Sequence, residues 1–362
     1  MAQDQITLSA VRLPQGGRLT RSMPLPAAKR TQRYVDAFDH HTLIYDCFAD
    51  ADGLVLICPR LLNLWPVLRD GLRVNGVRPR IRRQKFLRYE ELRVPGNAAA
   101  QVSIELDDTA LHVSVNPSEA ARYAGRRALV TQFKDTPLDW IVDWARYHAS
   151  AHGVDAILAF DNGSTLHDTA DVQAGLQSIP GVAVSHVVRD PFPYGDAAGG
   201  RFVAPAKYLQ TAMLNLARLR FFPEAAGVLS LDVDEMLAPV GEGTVFDIAA
   251  RAPLGLVSFT GAWLFAAPDG PQPQRAHDLH VPGRVCTNPK WCAVPGKRAA
   301  RLSWAVHRPA GPFAPLTRNK ALHYWHCHST STSWKKTRSG APDGARPCPA
   351  AQTAFARHLT DG

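Results

Sequence analysis

The strongest chemical signal in the sequence is a run of acids at the end of an apolar segment: Val228 to Leu231, with the small Ser230 among them, lead into Asp232-Val233-Asp234-Glu235. If the strand continued, Asp232 and Asp234, two residues apart, would share one side of it. Two carboxylates aimed at one point repel each other unless a cation lies between them, so the pair suits a divalent metal. Oxygen ligands favour Mg²⁺ or Mn²⁺. Such an ion would bridge the phosphates of a nucleotide diphosphate and neutralise charge on the leaving group. The plainer alternative is an acidic turn after a strand, or an N-cap for a following helix.

A second signal is charge. The formal net charge is +9, and between Leu279 and Pro342 there is no Asp or Glu. The same stretch carries Arg284, Lys290, Lys297, Arg298, Arg301, Arg308, Arg318, Lys320, Lys335, Lys336 and Arg338. A field of one sign attracts polyanions such as diphosphates, anionic lipid headgroups or nucleic acid. Lys290 and Arg298 are the candidates for donor phosphates, and no nucleic-acid partner is expected. A non-catalytic polyanion-binding protein is the competing reading of this stretch. A phosphatase of the haloacid-dehalogenase type also places DxD after an apolar strand. That pattern wants Thr or Val two residues after the second Asp, where this chain has Met236.

Composition excludes other classes. With 46% hydrophobic and 20% charged residues the chain reads as globular rather than disordered. No run of about eighteen apolar residues is present, so no transmembrane helix is expected. The N-terminus lacks the apolar core of a secretory signal. The expectation is a cytoplasmic protein, with at most a peripheral contact at the inner face of an anionic membrane. Six cysteines without a CxxC pair point to reduced thiols. The cluster His323, His326, Cys327, His328 lacks the spaced second ligand pair of a zinc site.

These groups must be positioned by the surrounding elements. Residues 1–35, rich in Pro, Gly and Arg, read as a loose basic tail or wrapping arm. Residues 36–125 read as a small β-rich accessory domain, with runs LIYDCF, GLVLIC, VSIEL and ALHVSV between turn signals. The basic RPRIRRQKFLR within it reads as a solvated strand or loop. Strand–helix alternation over 126–340 predicts an α/β domain around a mostly parallel sheet. ALVTQF is its first strand; Thr136-Pro137 opens a helix whose apolar face is Leu138, Ile141, Val142, Ala145 and Ala149, and Gly153 ends it. VDAILAF stops at Asp161-Asn162-Gly163-Ser164, VAVSHVV follows, and a helix from about Ala204 to Phe222 leads into GVLSLDVDEML. Residues 341–362 read as a tail. In open α/β sheets the carboxyl ends of strands line the ligand crevice, and two strands here finish in acids, at Asp161 and at Asp232.

Taken together, these residues resemble a known pattern. VTQFKDTPLDWIVDWARYHASAHGVDAILAFDNGST resembles the opening of family 2-like and family 92-like glycosyltransferases: a strand, a "KNE" turn, an "EW..YH...GV" helix, a strand and "DNGSxD". LSLDVDEML is similar to their "flDxDEF", NPKWCAVPGKRAARLSWAVHRP to "KxIvrP…vH", and KALHYWHCHSTSTSW to "HY..KS.eeF". The matches run in order from Ala128 to Arg338. The resemblance implies a GT-A-type α/β fold and a metal-dependent glycosyltransferase. Its donor would be a nucleotide-sugar held with Mn²⁺ or Mg²⁺, its acceptor a glycan or lipid-linked sugar, and its displacement inverting, in bacterial surface or exopolysaccharide synthesis. Carried over, Asp161 contacts the nucleoside, with Lys134 and Asn162 beside it in the donor set. Asp232 and Asp234 meet the metal or ribose, and His323, or else His307, is a late metal or phosphate ligand.

The chain departs from the pattern in places. The "KNE" turn reads Lys134-Asp135-Thr136, the segment after Thr165 reads Leu166-His167-Asp168, and the closing "KS" reads Cys327-His328-Ser329. An inverting reaction also needs a general base. Glu235, Asp269 and Asp278 are the candidates, Glu235 with a second option of orienting the metal ligands and Asp269 in a Pro/Gly loop.

Overall fold

A computed structural model of the chain describes residues 5–106, 109–195, 207–297, 301–307, 311–330 and 340–359. Two compact units divide it: one of Met1–Gln5, Arg122–Val188 and Phe222–Gly362, the other of Ile6–Ala121 and Arg189–Phe221.

The first unit is an α/β domain whose sheet has ten strands among the described residues. These are β1 (Arg127–Phe133), β2 (Ala156–Asp161), β3 (Val184–Arg189), β4 (Gly227–Ser230), β5 (Glu235–Leu237), β6 (Leu256–Ala266), β7 (His277–His280), β8 (Val285–Ala293), β9 (Arg318–Cys327) and β10 (Arg346–Pro347). The spatial order is β3-β2-β1-β4-β8-β6-β7-β10, with β9 beside β6 and β5 beside β9. The expected parallel arrangement holds where β1 runs parallel to β2 and β4. Beyond β4 the sheet is mixed: β8 is antiparallel to both β4 and β6, while β9 is parallel to β6. Every residue of β2 is buried, as a parallel strand covered on both faces requires.

Helix α1 (Leu138–His152) starts one residue after Pro137 and ends at Gly153, whose φ of 66° is the left-handed conformation that glycine adopts without a Cβ clash. Its Ile141, Trp144 and Ala145 join Leu129, Ile157 and Leu229 in one core. Helix α2 (Thr169–Gln177) follows β2, α3 (Val245–Arg251) opens on a capping box between Thr244 and Asp247, and α4 (Pro349–His358) closes the described chain.

The second unit is β-rich. Asp46–Asp50, Gly53–Pro59, Tyr89–Val94 and Arg82–Lys85 form an antiparallel sheet, and Leu72–Val74, Val102–Leu106 and Thr109–Val113 a smaller one. The basic stretch contributes the edge strand Arg82–Lys85, where Arg83 pairs with buried Glu90 at 2.6 Å. Val11 and Leu13 pack into the same core as Leu54 and Leu92. Tyr208–Leu216 is helical and continues as a π-helical turn, Ala217–Phe221, both within this unit. The amino-terminal part of the helix read from about Ala204 lies outside the described residues. All six cysteines are buried and unpaired. Among the described residues no helix is long and apolar enough to cross a membrane.

Candidate active site

The acidic segment does not continue as a strand. β4 ends at Ser230, and a turn closed by the Glu235 amide donating to the Asp232 carbonyl at 3.0 Å precedes β5. Asp232 and Asp234 therefore do not sit side by side on one extended face. The turn instead folds Glu235 back, so that its Oε2 accepts from the Asp232 amide at 2.8 Å. Lys290, from β8, lies against the same pair: its Nζ is 2.7 Å from Asp232 Oδ2 and 2.8 Å from Glu235 Oε2. Both Lys290 and Glu235 are almost fully buried. Part of the cation that these carboxylates demand is thus supplied by the chain.

Asp234 is turned to a different partner. His326 Nε2 lies 3.1 Å from Asp234 Oδ2, and its Nδ1 lies 3.9 Å from Glu235 Oε1. Antiparallel pairing of β5 with β9 puts His326 opposite Glu235. Trp263, opposite His326 on β6, stacks on its ring at 4.1 Å between centroids. Cys286 Sγ is 3.5 Å from His326 Nδ1 and 3.2 Å from Tyr324 OH, which donates to the Asn288 carbonyl.

Electrostatics follow from this packing. Burial lifts the Glu235 carboxyl to about 7 against the opposing pull of Lys290. Burial works against the charge on Lys290, but Asp232 and Glu235 outweigh it and its pKa rises. For His326 burial is likewise outweighed, by Asp234, and the imidazole is pushed up to about 10. One ligand atom each from Asp234, Glu235 and His326 lies within 4.8 Å of the others, a spacing that admits a metal ion.

Helix α1 fixes the three-residue strand that carries Glu235. Trp144 Nε1 donates to the Glu235 carbonyl at 3.1 Å, and Tyr147 OH to the Leu237 carbonyl at 2.8 Å. The Leu237 amide donates to His148 Nε2 at 3.2 Å, and His152 Nε2 lies 3.0 Å from the Leu237 carbonyl. Buried Gln274 donates to the Val233 carbonyl at 2.9 Å. These bonds satisfy the edge of β5 that faces away from β9, where unpaired backbone groups would otherwise be buried.

At the ends of β1 and β2 a second set of loops is tied together. Asp135, at φ 48°, accepts from the Thr165 amide at 2.7 Å, and its own amide donates to Ser164 Oγ at 2.9 Å. The carboxylate that departs from the "KNE" pattern thus crosslinks two loops. Asp161 Oδ1 accepts from the Ser164 amide at 2.7 Å, whereas its buried Oδ2 has no hydrogen-bond partner among the described residues. Buried Asn162 donates its amide to the Phe133 carbonyl at 2.9 Å. Asp161 pairs with Phe133 and Ser230 with Val130 on the strand between them, so the two acidic termini stand two strand spacings, roughly 10 Å, apart across the sheet.

Other sequence candidates fall elsewhere. His323 is exposed on β9 and, three residues before His326, stands on the opposite face of that strand. His307 Nδ1 donates to the Pro289 carbonyl at 3.3 Å. Lys134 is exposed at the end of β1, and Asp269 in the turn after β6. Asp278, on β7, accepts from Gln352 at 3.0 Å. Arg298 lies outside the described residues. The sequence did signal a histidine in HYWHCH, but not which one, because that depends on strand register.

No family model and no curated protein matches the chain. Among solved structures it is similar to the galactosyltransferase LgtC in complex with donor and acceptor sugar analogues, at 18% identity and TM-score 0.25, over 39% of this chain and 46% of that one. It is similar to an active-site mutant of LgtC at 15% identity and TM-score 0.27, over 49% of this chain and 60% of that one. A third likeness is to the bifunctional glycosyltransferase WbbM, at 12% identity and TM-score 0.24, over 47% of this chain and 26% of that one. The chain thus matches less than two thirds of each of these proteins.

Proposed function

We propose that the first unit is a glycosyltransferase of GT-A type that uses a nucleotide-sugar donor and a glycan or lipid-linked acceptor. The observation that carries this reading is the pair of acidic strand ends, Asp161 on β2 and Asp232 to Glu235 after β4, flanking the central strand β1. Strand ends of this kind are where open α/β sheets bind ligands.

In this reading Mn²⁺ or Mg²⁺ would be held by Asp234, Glu235 and His326, whose donor atoms gather within 4.8 Å. Two carboxylates and one imidazole suit Mn²⁺ well. The ion, when bound, supplies positive charge to a departing diphosphate. The chain's own groups do the rest. Lys290 holds Asp232 and Glu235 in place, and the unpartnered Oδ2 of Asp161 accepts a hydrogen bond from the nucleoside. Trp263 keeps the His326 ring oriented and shields it from water. Because Glu235 Oε2 is committed to Lys290 and to the Asp232 amide, Glu235 is assigned to holding the cluster, with Oε1 left to face the ion, and not to the role of base. Exposed Asp269 is left as the candidate base for the acceptor hydroxyl, and Lys134 as a contact for donor phosphates.

Calorimetric titration with nucleoside diphosphates, with and without Mn²⁺, tests the reading. Metal-dependent binding that is lost in Asp234→Asn is the expected result; absence of any nucleotide binding would reject it.

A further inference from the structure

The acid-free basic stretch divides in two in the structure. Lys290 is buried against carboxylates, so it is not part of any outer basic face. At the far end of β9 the situation is the reverse. The 3₁₀ segment Gly311–Thr317 leads into Arg318, and it presents Phe313 at 48% and Leu316 at 75% exposure. Beside it lies a groove of about 600 Å³, lined by Leu254, Val257 and Leu316 among its apolar residues and by Arg318 and Lys320. Among the described residues no carboxylate lies within ion-pair distance of Arg318 or Lys320. Among the same residues the Arg318 side chain has the Thr260 hydroxyl as its hydrogen-bond partner, at 3.4 Å.

A soluble surface ordinarily mixes charges of both signs and scatters its exposed apolar residues singly. Here two large apolar side chains share one short loop, adjoin an apolar groove, and are bordered by cations of one sign. The segment is also firmly based: Thr317 is buried, bonded to the Ala314 carbonyl at 2.7 Å and to Ser258 Oγ at 2.9 Å. Its exposed apolar tip is therefore presented on a fixed support.

We propose that the loop Gly311–Thr317, with Arg318 and Lys320, is a docking surface for an anionic phospholipid bilayer. Phe313 and Leu316 enter the boundary between headgroups and acyl chains, and the two cations meet lipid phosphates. Arg318 lies opposite Ser258 and His326 opposite Trp263 on β6, with a bulge in β9 between them, which places the docking edge roughly 17 Å along the sheet from the carboxylate cluster. The proposal is independent of the sugar-transfer reading.

Flotation of the full chain with vesicles of phosphatidylcholine alone, or with added phosphatidylglycerol, tests it. Binding is expected only to the anionic vesicles and should weaken with salt. Phe313→Ser and Leu316→Gln should each lower partitioning about tenfold, the scale of returning such a side chain to water. Arg318→Gln and Lys320→Gln should each lower it about fivefold, as one charge at an anionic surface implies. All four positions are exposed, and an unchanged melting temperature in each variant verifies the fold. Equal binding to neutral vesicles, no binding to either, or undiminished binding by the variants overturns the proposal. So does light scattering that shows the loop joining two copies of the chain, with Leu316→Gln abolishing the dimer and leaving flotation intact. Nucleoside diphosphate titration on the same samples is read separately: its failure would sink the proposed function and leave the flotation result standing.

Discussion

The Nζ of Lys290 lies 2.7 Å from Asp232 Oδ2 and is almost fully buried there, while its second contact, 2.8 Å away, is Glu235. An ammonium thus stands where the acidic run alone called for a metal. Removing one partner of a buried pair leaves the other charge uncompensated, at a cost of about 3–5 kcal/mol. Lys290→Met should lower stability by about that much in urea unfolding. Adding Glu235→Gln should recover a large part of the loss. A single variant as stable as the parent would show that the pair does not hold the turn.

The distribution of carboxylates also predicts which histidine matters. His326→Ala and Asp234→Asn should remove Mn²⁺-dependent nucleoside diphosphate binding, measured by calorimetry, because both belong to the group within 4.8 Å. His323→Ala should leave that binding within about twofold, since exposed residues away from a site change little. Loss of binding in His323→Ala with retention in His326→Ala would move the ligand set.

Asp161 exemplifies a group kept at the expense of stability. Its buried Oδ2 has no partner among the described residues, and an unsatisfied buried polar atom costs about 1–3 kcal/mol. Asp161→Asn can keep an acceptor for the Ser164 amide and removes the charge. Its melting temperature should hold or rise, while nucleoside diphosphate affinity falls about tenfold, the effect of losing one hydrogen bond to a charged group. Unchanged affinity would take Asp161 out of the nucleoside site.

Stability should fall in mild acid through the histidines of α1. Burial drives His148 down to about 3 and His152 to about 4. His148 is held neutral with Nδ1 donating to the Trp144 carbonyl and Nε2 accepting from Leu237. The folded protein therefore leaves both rings unprotonated where the unfolded chain, near 6.5, takes up protons. Their contribution is fully present above about pH 6.5 and is lost as pH falls toward 4. Between pH 7.5 and 5 the loss is about 2 kcal/mol per histidine. Thermal melts across that range read it, and His148→Gln should flatten the dependence. A difference in stability between the parent and His148→Gln that stays constant from pH 7.5 to 5 would contradict the assignment.

What the sequence by itself determined was local. The apolar run VDAILAF reads as a strand of a mostly parallel sheet, where covered strands need no polar face, and it supplies β2, Ala156–Asp161. Gly153 marks the end of α1 because only a residue without a Cβ takes that φ freely. The basic RPRIRRQKFLR reads as a solvated strand or loop and is an exposed edge strand. The acidic run after an apolar strand likewise marks where carboxylates gather, though a plain acidic turn reads the same way in the sequence.

The partners of those carboxylates were decided only by tertiary structure. Whether Asp232 and Asp234 share a face depends on whether the chain stays extended, and here it turns after Ser230. Lys290 reaches Asp232 because β8 pairs with β4, a contact between segments some sixty residues apart that no local pattern encodes. In HYWHCH, His323 and His326 differ by an odd number of positions, so they occupy opposite faces of one strand. The pairing of Glu235 with His326 then selects which face meets the acids. Register is set by long-range strand pairing, and a one-residue slip would have exchanged the two histidines.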